Sequence, residues 1–155
     1  MDSPEPPPRL PGHKTAFLAL VLAQTAHSLE EYYGRLWEVF PPATFLTGLV
    51  SEDREFGFIV INAGLVLFGL WCAAWPVRMQ WPVAKGFIGF WIVIELINGV
   101  GHPLWSIARG GYTPGVVTAV PLFFVALYLC WTLVRTPQPV RNPARAGSGV
   151  WPNPN

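Results

Sequence analysis

Lys14 to Tyr33 reads K-T-A-F-L-A-L-V-L-A-Q-T-A-H-S-L-E-E-Y-Y. A hydrocarbon core is crossed by about 20 predominantly apolar residues in helical form. Helix is the form expected because no water is present there to satisfy the backbone. The stretch has that length, yet its second half carries Gln24, His27, Glu30 and Glu31. A charged group at the centre of a membrane helix costs roughly 2.5–3.5 kcal/mol even on the gentlest scales. Such a cluster therefore marks a functional site inside a membrane helix.

Three more apolar segments follow, at about residues 56–75, 83–101 and 116–135. The expected fold is all-α, a four-span transmembrane helical bundle. Composition agrees: 52% of the 155 residues are hydrophobic and 12% are charged, against about 25% charged in ordinary soluble domains. Pro76 and Pro82 bracket a turn between the second and third segments, and Gly110, Gly111 and Pro114 mark the turn before the fourth. The connection from Gly34 to Glu55 holds Trp37, Phe40, Phe45 and Leu49, so an interfacial or re-entrant segment covering one end of the bundle is expected between spans 1 and 2. Residues 1–13 and 136–155, rich in proline and poor in residues to bury, are expected to be disordered tails around the membrane domain at 14–135. Cys72 and Cys130 lie in separate apolar runs without metal-site spacing and read as core or lipid-facing residues. Net charge is +1 with dispersed Lys and Arg, which argues against a nucleic-acid partner.

A second polar cluster, Glu95 to His102, reads E-L-I-N-G-V-G-H. At about 100° per residue, His27, Glu30 and Glu31 share an arc of roughly 100°, and Glu95, Asn98 and His102 one of roughly 60°. Spans 1 and 3 of a four-span chain run in the same direction. Both clusters lie toward the C-terminal ends of their spans, so they fall at one membrane depth, with His27 expected to face Asn98. Two imidazoles and three carboxylates form a sensible metal set, and H-x-x-E reverses the Glu-x-x-His pair of carboxylate-bridged metal bundles. The donors suit Zn, Fe or Mn without choosing among them. Glu95 and His102 are about 10 Å apart along a helix axis; either the helix distorts, Glu95 lies below the ion, or two ions bind. Trp91 shares the face of Glu95 and Asn98 and is expected to line the pocket, although plain core packing would also explain it. Gln24 is placed to orient His27, and Asn62 to hydrogen-bond across the bundle.

At His27, Glu30 and Glu31, and again at Glu95, Asn98 and His102, the chain resembles the HXXEE-domain family of small bacterial and archaeal integral membrane proteins. The resemblance covers about residues 14–135 and implies a helical membrane fold with a polar centre in the cytoplasmic membrane, not a particular reaction. The combination of His, Glu, Asn and Trp in a small bundle is also similar, by analogy alone, to that of sterol isomerases of the emopamil-binding type.

The function expected first is a membrane enzyme acting on a lipid or isoprenoid-like molecule. A divalent transition metal would sit on His27, Glu31 and His102, with Glu95, Glu30 and Asn98 as catalytic groups and Trp91, Gln24 and Asn62 around the pocket. One alternative is a metal-free isomerase in which Glu95 protonates an alkene and Trp91 steadies the cation. A non-enzymatic alternative has His27 and His102 ligating a haem, or an ion-handling bundle, which as a transporter would need a homodimer. Besides the lipophilic small molecule, the expected partners are membrane lipids. No phosphate loop, nucleophile elbow or dinucleotide fingerprint is present.

Charge sets the orientation. With four spans, one side carries seven Lys and Arg (Arg9, Lys14, Arg78, Lys85, Arg135, Arg141, Arg145) and the other three (Arg35, Arg54, Arg109). Both termini are therefore expected in the cytoplasm. A reporter active only outside the cytoplasm should work when fused in the Gly110 turn and fail at Asn155; the reverse pattern inverts the orientation.

Overall fold

The computed structural model describes residues 11–135; the tail at 136–155 and most of that at 1–13 lie outside the described residues. The helices are α1 (Pro11–Tyr33), α2 (Leu36–Val39), α3 (Pro41–Val50), α4 (Arg54–Cys72), α5 (Ala84–Arg109) and α6 (Val116–Arg135). No strand occurs among the described residues. Residues 11–13, expected in the tail, are instead the start of α1.

Local chemistry explains the boundaries. Asp53 caps α4 by accepting from the Phe56 N–H at 3.1 Å, which satisfies one of the orphan donors of a first helical turn. α4 runs on through a π-helical turn, Ala73–Val77. Pro76 lies inside that turn and has no N–H to give to the α-helical ladder, so the helix widens there before it stops. α5 extends eight residues beyond its expected end at Gly101 and contains Pro103 in its interior. It ends at Gly110, whose φ of 70° is the left-handed conformation that closes helices. His102, expected at a helix end, is therefore inside a continuous helix.

Among the described residues, three helices are long and apolar enough to cross a membrane: Arg54–Val77, Ala84–Arg109 and Val116–Arg135. Their outward surfaces are apolar, with Leu67, Ile97, Val117 and Phe124 all strongly exposed, the inverse of a soluble bundle. α1 has the length at 23 residues but not the hydropathy, because Gln24, His27, Ser28, Glu30 and Glu31 interrupt it.

α6 packs against both α1 and α5, and α4 packs against α1. α1 and α5 thus face each other across the bundle through side chains, with α6 alongside both. The main core, built on Phe17, Leu20, Val21, Ile88, Trp91, Leu122 and Leu129, fills the end nearer the N-terminus of α1. α2 and α3 fold over the other end and pack on α4. There Trp37 stacks on Phe58 and Tyr32, with ring centroids 4.9 and 5.6 Å away. The segment expected as an interfacial cover is thus two short helices over the polar end.

Close approach of α5 and α6 depends on Gly99, where an added Cβ would lie 2.5 Å from the Phe123 Cβ. Small residues at such crossings let membrane helices touch. Gly99→Val should lower stability by about 1–3 kcal/mol, read as a lower midpoint of thermal unfolding in detergent. Gly89→Val, with open space around it, should not.

Candidate functional site

Spacing on two parallel helices builds the site in two layers. Gln24 and Glu31 lie seven residues apart on α1, and Glu95 and His102 seven apart on α5. The upper layer joins Glu31 to His102, and the lower joins Gln24 to Glu95.

In the upper layer, Glu31 Oε1 lies 3.1 Å from His102 Nε2 and 3.4 Å from His27 Nε2. The imidazoles are perpendicular, with centroids 4.7 Å apart. All three residues are buried, and one ligand atom from each lies within 4.8 Å of the others. His27 therefore faces His102, not Asn98 as expected; the C-terminal extension of α5 carries His102 up to its level.

The outer nitrogens define the tautomers. His102 Nδ1 is 2.9 Å from the Pro114 carbonyl oxygen, which only accepts, so Nδ1 carries the proton. His27 Nδ1 is 2.9 Å from Thr118 Oγ1. That hydroxyl gives its own proton to Glu30, so it accepts from His27 Nδ1–H. Both Nε2 lone pairs are then aimed at the Glu31 carboxylate in the neutral tautomers. His27 Nε2 is buried with no hydrogen-bond partner. Imidazoles whose other N–H is held by a carbonyl or carboxylate system have the form of metal-ligating histidines.

Glu30 stands outside this centre. Its carboxylate accepts from the backbone N–H groups of Val117 and Thr118 at 3.2 and 2.8 Å and from the Thr118 hydroxyl. It caps the first turn of α6, where a negative charge meets the positive end of the helix dipole. Tyr112 donates to it at 3.0 Å. Burial and the adjoining Glu30 carboxylate push the Tyr112 phenol above its ordinary range, which keeps it a donor. Glu30 thus positions His27 through Thr118, one contact removed from the place expected of a catalytic group.

In the lower layer, Glu95 is fully buried. Asn98 Nδ2 donates to Glu95 Oε2 at 3.1 Å. The Gln24 amide reaches both Glu95 oxygens, at 2.8 and 3.1 Å, and its other end lies 3.0 Å from Ser28 Oγ. Ser28 donates in turn to Asn62 Oδ1 at 2.7 Å. Gln24, expected to orient His27, is instead the partner of Glu95, and Asn62 does bond across the bundle. Glu95 does not belong to the His–Glu–His group.

A cavity of about 190 Å³ opens on both layers. Its polar side is Glu31, His102, Gln24, Asn98 and Asn62; Phe40, Leu46, Phe58, Ile61, Leu65 and Ile94 supply the apolar walls. It lies between α4 and α5, beneath α2 and α3. Trp91 does not line it. Its ring is buried in the core beside Val21 and Gly69 and stacks on Phe68, because position 91 is a full turn below Glu95 and points into the packed end of the bundle.

Sequence reasoning missed the α5–α6 connection. Gly110, Gly111 and Pro114 read only as a turn, yet Pro114 and the nearby Thr118 hold the two imidazoles. Gly115 has φ 90°, and a Cβ there would lie 2.7 Å from His102 Nδ1 and 2.9 Å from His27 Cε1. Both conformation and space demand glycine.

A family model described as "Protein of unknown function with HXXEE motif" matches residues 18–131. No curated protein matches the chain, and no solved structure does.

Gly115→Ala should separate the imidazoles and lower the thermal midpoint in detergent. Gly101→Ala, in open space on the same helix as His102, should leave it unchanged or raise it, since alanine favours helix by about 1 kcal/mol. Equal behaviour of the two variants contradicts the packing of Gly115 against both rings.

Proposed function

The chain belongs to the family of proteins of unknown function with the HXXEE motif, and from the geometry of that motif we propose that it is a metal-dependent membrane enzyme acting on a lipophilic substrate. One observation carries this reading: two buried Nε2 lone pairs and a carboxylate oxygen converge, while both Nδ1–H groups are held from outside. Lone pairs facing a carboxylate repel unless a proton or a metal cation lies between them, and two imidazoles converging on one carboxylate oxygen is the arrangement a metal ion uses. Donors about 2.1 Å from a tetrahedral ion are about 3.4 Å from one another; the two separations to Glu31, 3.1 and 3.4 Å, fit that geometry. Two imidazoles and a carboxylate suit Zn, Fe or Mn. His27, Glu31 and His102 would hold such an ion, which would supply activation of water or oxygen at the edge of the cavity.

The chain's own residues do the rest. Glu95, with Asn98 and Gln24 on its carboxyl group, is the buried proton carrier beside the cavity. Phe40, 6.1 Å from the His102 ring, and the apolar walls exclude water. The cavity is smaller than the roughly 300–1,000 Å³ of sites that enclose a whole drug-sized ligand. It admits the reactive end of a lipid or isoprenoid-like molecule, and the remainder lies between α4 and α5. α1 is the fourth membrane crossing, with its polar face turned inward and both termini in the cytoplasm.

The metal-free isomerase keeps support from the placement of Glu95 and Asn98, but Trp91 is remote from the cavity and cannot steady a cation in it. The haem alternative is set aside: perpendicular rings 4.7 Å apart, with both Nε2 atoms turned to one carboxylate, leave no place for a macrocycle between them.

Purified in detergent, the protein should carry about one transition-metal ion per chain by elemental analysis. His27→Ala and His102→Ala should each remove most of it. Thr118→Val, which deletes the partner of His27 Nδ1 together with that hydroxyl's bond to Glu30, should weaken affinity about 10- to 100-fold. Glu95→Gln should keep the metal. Wild-type protein that takes up no Zn, Fe or Mn, or histidine variants that retain it fully, would sink the metal reading.

A further inference from the structure

The lower layer contains a hydrogen-bond chain that closes in only one protonation state. Asn62 Nδ2 donates to the Phe58 carbonyl at 3.1 Å, so Asn62 Oδ1 is committed as an acceptor. Its donor is the single proton of Ser28 Oγ at 2.7 Å. Ser28 Oγ can then only accept from Gln24, whose NH2 end lies 3.0 Å away. That orientation points the Gln24 carbonyl at Glu95 Oε2 and Oε1, 2.8 and 3.1 Å distant. A carbonyl at that distance from an ionised carboxylate is repulsive. With a proton on Glu95 the same contact is a hydrogen bond, and every member of the chain is satisfied.

The opposite amide orientation suits an ionised Glu95. The Gln24 NH2 then donates to both carboxylate oxygens, and its carbonyl takes the Ser28 proton. Asn62 Oδ1 is then left without a donor, 2.7 Å from an oxygen that has none to give. Asn62 is half-buried, so an acceptor left unmet there carries a desolvation cost.

We propose that Gln24, Ser28 and Asn62 are positioning residues that hold Glu95 as a neutral carboxylic acid, and that loss of its proton turns the Gln24 amide over and frees Asn62 Oδ1 at the cavity wall. Glu95 is fully buried and meets the cavity only through its partners Gln24 and Asn98, which line it; its proton leaves past them to an acceptor in the cavity, and the Ser28 proton moves from Asn62 to Gln24. Because Asn62 lines the cavity, the freed oxygen accepts a hydrogen bond from an occupant bearing a hydroxyl or N–H. Proton loss and binding of a donor-bearing head group are thereby coupled. The titratable groups that share the cavity with this layer are Glu31 on α1 and His102 on α5; among the described residues α4 lines it with no charged group. The inference deepens the proposed function by giving Glu95 the proton it donates. It rests on hydrogen-bond chemistry alone, so chelator-treated, metal-free protein separates it from the metal reading.

Infrared difference spectroscopy during a pH titration of the full chain in lipid nanodiscs tests it. At neutral pH the wild type should show a protonated-carboxyl C=O band that Glu95→Gln removes. Ser28→Ala removes the preference for the closed chain and should lower the pH at which that band disappears by a unit or more, a tenfold change. Ser28→Thr, which keeps the hydroxyl, should restore the wild-type midpoint. Asn62→Leu, which releases the Ser28 proton to Gln24, should shift the midpoint in the same direction as Ser28→Ala and serves if that variant fails to fold. Absence of a band dependent on Glu95 at neutral pH overturns the proposal. So does an unchanged midpoint in every folded variant lacking the Ser28 hydroxyl or the Asn62 amide.

Discussion

Two imidazoles and a carboxylate are held together inside a shell of apolar helices, and the outer nitrogen of each imidazole must be satisfied by the protein itself. That constraint organises the polar end of the bundle. One Nδ1–H goes to a backbone carbonyl of the α5–α6 connection, and the other to a hydroxyl on the first turn of α6. Both partners come from one short piece of chain, which must therefore press against both rings. The glycine at 115 follows from that pressure. So does the placement of Glu30, whose charge caps α6 and fixes the hydroxyl that fixes His27. Buried polar networks of this kind are stable only when every member is satisfied.

The two-layer arrangement divides labour by depth. The upper layer gathers lone pairs and one carboxylate, a set whose unmet need is positive charge. The lower layer gathers amides and a hydroxyl around Glu95, a set whose unmet need is a proton. Their separation of seven residues on both α1 and α5, about 10 Å along parallel helices, keeps the carboxyl groups of Glu31 and Glu95 from sharing one site. A cavity reaching both layers gives an occupant access to each.

The walls of that cavity come from α1, α2, α3, α4 and α5. α4 and α5 are joined through the π-helical turn at one end, and near the polar end they are separated by the cavity beneath α2 and α3. Aromatic contacts of Trp37, Phe58 and Phe40 hold this cover in place. A lipophilic molecule entering sideways would meet hydrocarbon first and the polar groups last, as the proposed function requires.

Helix type, three apolar segments long enough to cross a membrane and the meeting of two distant polar clusters were legible from the chain, because apolar length and helical period act locally. The members of the His27, Glu31 and His102 group were legible for the same reason: buried ionisable groups in apolar helices are costly and stand out. The chain by itself did not reveal where α5 ends, since Pro103 and the neighbouring glycines read locally as a break while packing against α6 carries the helix on to Arg109. It did not separate Trp91 from the cavity, because period assigns a face and not a depth. The parts played by Pro114, Gly115 and Thr118, the partnership of Gln24 with Glu95 and the capping of α6 by Glu30 were decided only by tertiary structure. Each joins residues far apart in sequence, and a turn tripeptide or a lone glutamate carries no local mark of the partner it will meet.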